Sequence, residues 1–132
     1  MWIKLLRSIS APVVGYAVIL LCTIEGFKPL GNFIHVNAPL HIHLAGAMVA
    51  VISGVLGGLA AAFIAGRYPV RHASAVLIFL FIDTATVLSR GSPDPVWFEL
   101  VGAATLMGAT VVGGVLYGIV GSRRKRTHPA VG

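Results

Sequence analysis

Four apolar stretches, at 10–27, 41–66, 72–89 and 96–121, constrain this chain more than any other feature it has. Crossing ~30 Å of hydrocarbon takes about 20 helical residues at 1.5 Å each, and all four stretches come close. The first and third are the shorter pair, at about 18 residues, and the second and fourth, near ~26, are long enough to tilt. None alternates with period two, which excludes a transmembrane β-barrel. The expected fold is therefore all-α, a four-transmembrane-helix bundle in one integral membrane domain over 1–132, ending in a basic tail at 122–132. Composition leads to the same place: 57% of the residues are hydrophobic and 11% charged, too few polar groups to cover a water-facing surface.

The charges predict orientation. Lys4, Arg7, Arg67, Arg71, Arg123, Arg124, Lys125 and Arg126 fall on one side of the four stretches, and Lys28 and Arg90 on the other. By the positive-inside rule both termini and the 67–71 turn are expected on the cytoplasmic face. Basic residues gathered at segment ends are topology determinants, so the net charge of +6 does not point to nucleic acid. The tail residues Arg123, Arg124, Lys125 and Arg126 are also candidates for holding anionic lipid.

The first stretch follows Lys4 and Arg7 as a secretion signal would, yet no A-x-A-like site follows it, and Leu21 before Cys22 is too bulky for a lipoprotein-type site. It is read as a retained helix. Cys22 is the single cysteine and forms no internal disulfide. On the outer side, 28–40 contains Pro29, Gly31, Asn32, Asn37 and Pro39 and is expected to lie on the membrane through Phe33 and Ile34. The other connection, 90–95, is a tight turn whose two prolines stop one helix and start the next, with Trp97 and Phe98 at headgroup depth.

A shift of 56 residues aligns Leu44, Gly46, Ala47, Val55, Gly57, Gly58 and Arg67 with Leu100, Gly102, Ala103, Val111, Gly113, Gly114 and Arg123. Nearly the same shift sets Glu25 opposite Asp83. The chain thus reads as two tandem helical hairpins, a parallel repeat with a pseudo-two-fold axis along the membrane normal. Small residues also recur every four positions, at Gly46, Ala50, Gly54, Gly58, Ala62 and Gly66 in the second stretch and at Thr110, Gly114, Gly118 and Ser122 in the fourth. Lipid gives helices no hydrophobic reason to associate, so close backbone approach along such ridges supplies the contact. The second and fourth helices are the expected central pair, unless one ridge faces another subunit.

Intramembrane polar groups are the candidates for function. Asp83 lies in Phe79-Leu-Phe-Ile-Asp-Thr-Ala-Thr, ~9 Å from the outer end of its helix, where an ionised carboxylate costs at least ~2.5–3.5 kcal/mol unless paired or protonated. Thr84 and Thr86 are near it, and Arg90 stands two turns away on the same face. Asp83 reads either as a proton- or cation-binding group or as a structural acceptor. Glu25 can pair with Lys28 at i+3, and Glu99 suits the positive end of the fourth helix. Together Asp83, Glu25, His43 and Glu99 make an expected polar layer toward the outer surface. His35, His41 and His43 are weak metal candidates: on a helix, residues two apart point nearly opposite ways, and no cysteine is close. His43 and His72 belong to opposite ends, which argues against a bis-histidine haem, and no metal or other cofactor is called for.

No Ser/His/Asp arrangement sits in a loop, and no glycine loop precedes a lysine in the phosphate-cradling pattern, so an enzyme is not the expected reading. Gly15-Tyr16, Gly57-Gly58, Arg67, Trp97 and Gly113-Gly114 together resemble a loose group of small four-helix bacterial membrane proteins. That resemblance covers most of the chain and implies a bacterial inner-membrane location, with no activity attached. Two roles follow from the residues: an accessory or structural subunit of a larger membrane complex or homo-oligomer, or an oligomeric proton- or cation-coupled small transporter using Asp83.

Overall fold

In a computed structural model, which describes residues 2–127, the chain forms four helices: α1 (Trp2–Phe27), α2 (Leu40–Ala65), α3 (Pro69–Arg90) and α4 (Val96–Thr127). Each is long and apolar enough to cross a membrane, as a multi-pass membrane protein requires. Their outward surfaces are apolar, with Leu21, Met48, Phe63, Phe81 and Val120 exposed. In a bilayer such side chains meet lipid and cost nothing by being there.

The helix ends follow from local chemistry. Pro39 precedes α2, and Pro69 opens α3 at a position where its missing N–H is no loss. Gly66 (φ 67°) and Gly91 (φ 82°) close α2 and α3 with φ values that favour glycine, each N–H returning to a carbonyl of the helix it ends, Ala62 and Leu88. Hydropathy alone misjudges the lengths. α1 begins at Trp2 rather than at the expected 10, because the residues carrying Lys4 and Arg7 continue the helix beyond its apolar part. α3 has 22 residues and α4 runs to Thr127, through the basic residues expected to form a separate tail. The side chains of Arg123, Arg124, Lys125 and Arg126, and residues 128–132 altogether, lie outside the described ones.

The directions of the helices are fixed by their contacts. Gly26 meets Val49 and Gly15 meets Gly57, so α1 and α2 are antiparallel; Gly114 meets Ala73 and Gly118 meets Pro69, so α3 and α4 are too. Ser8 Oγ and His72 Nε2 are hydrogen bonded at 2.9 Å, tying the start of α1 to the start of α3. His72 Nδ1 also lies 3.2 Å from the carbonyl of Tyr68. One end of the bundle therefore gathers the start of α1, the α2–α3 turn and the end of α4, which hold the eight clustered basic residues. We call it the basic end. The other carries Lys28 and Arg90.

α2 touches all three other helices, and its contact with α4 is the most extensive in the fold. A Cβ added to Gly58 would lie 2.0 Å from the Thr110 carbonyl oxygen, and one on Gly113 would lie 2.3 Å from the Val55 carbonyl oxygen. The small residues serve more than one partner. Gly54 and Gly58 meet α4, Gly57 meets Gly15 and Ile19 of α1, and Gly46 meets Phe27 and Ile34. Gly114 and Gly118 turn to α3. Around these contacts Ile19, Ala61, Val76 and Leu80 form a buried cluster, with Tyr16, Leu77, Leu106 and Met107 against it.

The repeat does not extend to this arrangement. A two-fold axis along the membrane normal would make an α1–α4 contact the counterpart of the α2–α3 contact, but α2 and α3 touch while α1 and α4 stay apart among the described residues. The aligned glycines differ likewise. Gly57 packs within its own hairpin and Gly58 across to the other; of their counterparts, Gly113 packs across and Gly114 packs within. The chain is two hairpins in tandem, packed side by side without that symmetry.

Candidate functional site

Away from the basic end the four helices separate around a cavity of 760 Å³. α1 contributes Thr23 and Phe27, α2 His43, Gly46, Ala47 and Ala50, and α3 Asp83, Thr84 and Val87. α4 supplies Trp97, Phe98, Glu99 and the turns down to Leu106. Leu106 also touches the buried cluster, so the cavity begins where the packed core stops. Ala50 and Leu106 are each ten residues into their helices, which sets the floor ~15 Å below the helix ends.

The segment between α1 and α2 borders this space. A 3₁₀ turn spans Lys28–Phe33, after which Ile34 and Val36 line the cavity. The expectation that Ile34 lies on the membrane is thus corrected: its Cδ1 is 3.4 Å from where a Cβ on Gly46 would be, because a glycine there leaves a seat for it. Phe33's side chain is outside the described ones. Two polar contacts pin the segment. The Val36 N–H donates to Asp94 Oδ1 at 2.8 Å, joining it to the α3–α4 turn. His43 Nε2 lies 3.0 Å from the His35 carbonyl oxygen, joining it to α2. The His43 ring also meets Phe98 edge-on, with centroids 5.6 Å apart.

Three of the chain's four acidic residues, Asp83, Asp94 and Glu99, line this one cavity, and no lysine or arginine among the described side chains does. Their circumstances differ. Glu99 accepts a hydrogen bond from Ser92 Oγ, and Asp94 is held by the Val36 amide. Asp83 has no hydrogen bond or ion pair among the described residues. Arg90 does not reach back to it, and the hydroxyls of Thr84 and Thr86 are bonded at 2.8 Å to the Leu80 and Ile82 carbonyls of their own helix. One turn before Asp83, Phe79 stacks on Tyr16 with centroids 5.4 Å apart. On α1, Thr23 Oγ1 is buried and has no hydrogen-bond partner among the described residues. Such a hydroxyl forgoes about 1–3 kcal/mol.

The polar layer expected from sequence divides. Asp83, His43 and Glu99 meet at the cavity, whereas Glu25 faces away and pairs with Lys28 on the exposed surface. Asp94 and Thr23 join the site without having been singled out. Asp94 stands between two prolines and reads as a turn former, and Thr23 is one hydroxyl in an apolar run; only the packing brings them to the cavity. His41 is on the exposed side of α2, and no group of three or more His, Cys, Asp or Glu residues suited to a metal occurs among the described residues. Comparison with protein-family models, with curated proteins and with solved structures finds no match to this chain.

Proposed function

We propose that this protein is a small proton- or cation-coupled carrier in which Asp83 is the coupling group and the cavity is the substrate site. The observation that carries this reading is the unpaired Asp83 carboxylate on the wall of a cavity that collects most of the chain's acids. A carboxylate at membrane depth is costly unless neutralised, so it favours taking up a proton or a cation. Exchange between the two is the minimal device for coupling their movement. By the positive-inside rule the basic end is cytoplasmic, both termini are inside, and the cavity belongs to the outer half of the membrane. In a bacterium that is the periplasmic half of the inner membrane.

Dicyclohexylcarbodiimide tests this reading directly. It adds to a protonated carboxyl, and acyl transfer leaves a stable N-acylurea with no group lost. Purified protein should gain one adduct on the peptide containing Asp83, more at low pH than at high, and Asp83→Asn should remove it. Absence of an Asp83 adduct across the pH range would overturn the assignment.

A second reading, as a subunit of a larger assembly or homo-oligomer, draws on a different observation. On the outward surface of α4, Ala104 and Gly108 are exposed one turn apart, and a Cβ on Gly108 would meet nothing within 4 Å. Small residues at that spacing let another helix approach closely. Mass spectrometry of the protein purified in mild detergent decides it: a stoichiometric unrelated partner supports the subunit of a larger assembly, self-association supports the homo-oligomer and is compatible with the carrier, and a chain alone leaves the carrier.

A further inference from the structure

The substrate class can be argued from what the cavity offers, given the carrier reading above. Of its three carboxylates, Glu99 and Asp94 are anchored by hydrogen bonds from Ser92 and Val36, and Asp83 is the one with no hydrogen-bond partner among the described residues. An acidic wall with no lysine or arginine among the described side chains calls for a positively charged occupant, and the free carboxylate of Asp83 is the group placed to meet its charge. A small inorganic ion fits poorly. Hard cations take six or more oxygen ligands, and beside Asp83 the Thr84 and Thr86 hydroxyls are already bonded to backbone carbonyls. The rest of the wall is apolar and aromatic: Phe27, Ile34, Ala47, Ala50, Val87 and Phe98. Such surface suits a body with little hydration to lose, and aromatic faces add attraction for a diffuse positive charge. The volume, 760 Å³, is that of a site for a drug-sized molecule.

We infer that the cavity binds a hydrophobic organic cation, with its charge against Asp83 and its apolar body among the side chains of α1, α2 and α4.

Tetraphenylphosphonium and tetraphenylborate, ions of nearly the same shape and opposite charge, are the probes. Binding to the whole protein in detergent is measured by titration calorimetry. Tetraphenylphosphonium should bind saturably and slow the carbodiimide reaction at Asp83, while tetraphenylborate should do neither. Asp83→Asn should weaken the phosphonium by about tenfold or more, and Asp83→Glu should retain it. Equal uptake of the two ions would overturn the inference, since it would report apolar partition alone. The comparison uses unmodified protein and so holds even if the asparagine variant misfolds. A carbodiimide adduct at Asp83 that the phosphonium neither slows nor competes with would overturn the substrate class while leaving Asp83 as a coupling carboxyl. Failure of the adduct itself would overturn the carrier reading beneath it.

Discussion

The two halves of this bundle are built from the same kinds of residue and come out differently. Toward the basic end and the middle, glycine and alanine let backbones touch: Ala61, Ala62, Ala73 and Val76 are fully buried, and Thr110 with them. In the other half the same helices stand apart around 760 Å³. Gly46 and Gly102, counterparts under the 56-residue shift, show how. The first is covered by Phe27 and Ile34, and the second has nothing within 4 Å of where a Cβ would be. A small residue is thus a contact where another backbone fills its notch and a space where none does. Membrane helices gain little from apolar burial against one another, so stability concentrates where the backbones meet, and the other half is left open.

The largest expected effect comes from putting the same side chain into each half. Gly58→Leu drives carbon into the Thr110 carbonyl and should cost about 3 kcal/mol or more, as overpacking does at its upper range. Gly102→Leu enters open space and should leave the thermal midpoint in detergent nearly unchanged while weakening phosphonium binding. If both variants lose comparable stability, the division into a packed half and an open half is wrong.

Next is the hold on the segment bordering the cavity. Asp94→Ala removes a charged acceptor from the Val36 amide, worth about 1.5–3 kcal/mol where it is well shielded and nearer the lower figure at this partly exposed position. Hydrogen exchange should quicken at Val36 and its neighbours, with the amides around Gly58 and Thr110 unaffected. Acceleration of both regions together would mean that the halves open as one unit. The two buried threonines give a smaller and opposite contrast. Thr23→Val deletes a hydroxyl with no partner and should stabilise by about 1 kcal/mol, whereas Thr110→Val loses the 2.8 Å bond to the Leu106 carbonyl and should not. Equal losses in the two variants would mean that the Thr23 hydroxyl has a partner as well.

The sequence made the packed half far more legible than the open one. Four spans follow from hydropathy, because lipid demands long apolar helices, and the α2–α4 pairing follows from glycine spacing, because few other residues permit such approach. Asp83 is conspicuous because carboxylates at that depth are rare. The remainder of the site is not visible in this way. Asp94 reaches it through a turn, Ile34 through a seat left by Gly46, and Thr23 through the way α1 packs into the bundle; each depends on how the helices are arranged, which no local pattern encodes. The repeat erred for a related reason. Glycine positions along a helix are shared by any close packing, and do not report on which neighbour each glycine meets.

Glu25 gives the smallest effect and the sharpest control. It belongs to the same end of the bundle as Asp83 and was its expected counterpart, yet it lies outside the cavity, with a side chain 64% exposed and paired with Lys28. Exposed pairs of this kind contribute about 0–1 kcal/mol, so Glu25→Gln should shift the thermal midpoint by little more than the error of measurement. It should also leave phosphonium binding intact. This second result bears on the electrostatics: Asp83→Asn and Glu25→Gln each remove one negative charge from the same end of the protein, so a general attraction of cations would weaken in both. Loss in the first alone requires that the charge act from inside the cavity. Equal losses would return the effect to the surface potential and leave the open half without its proposed ligand.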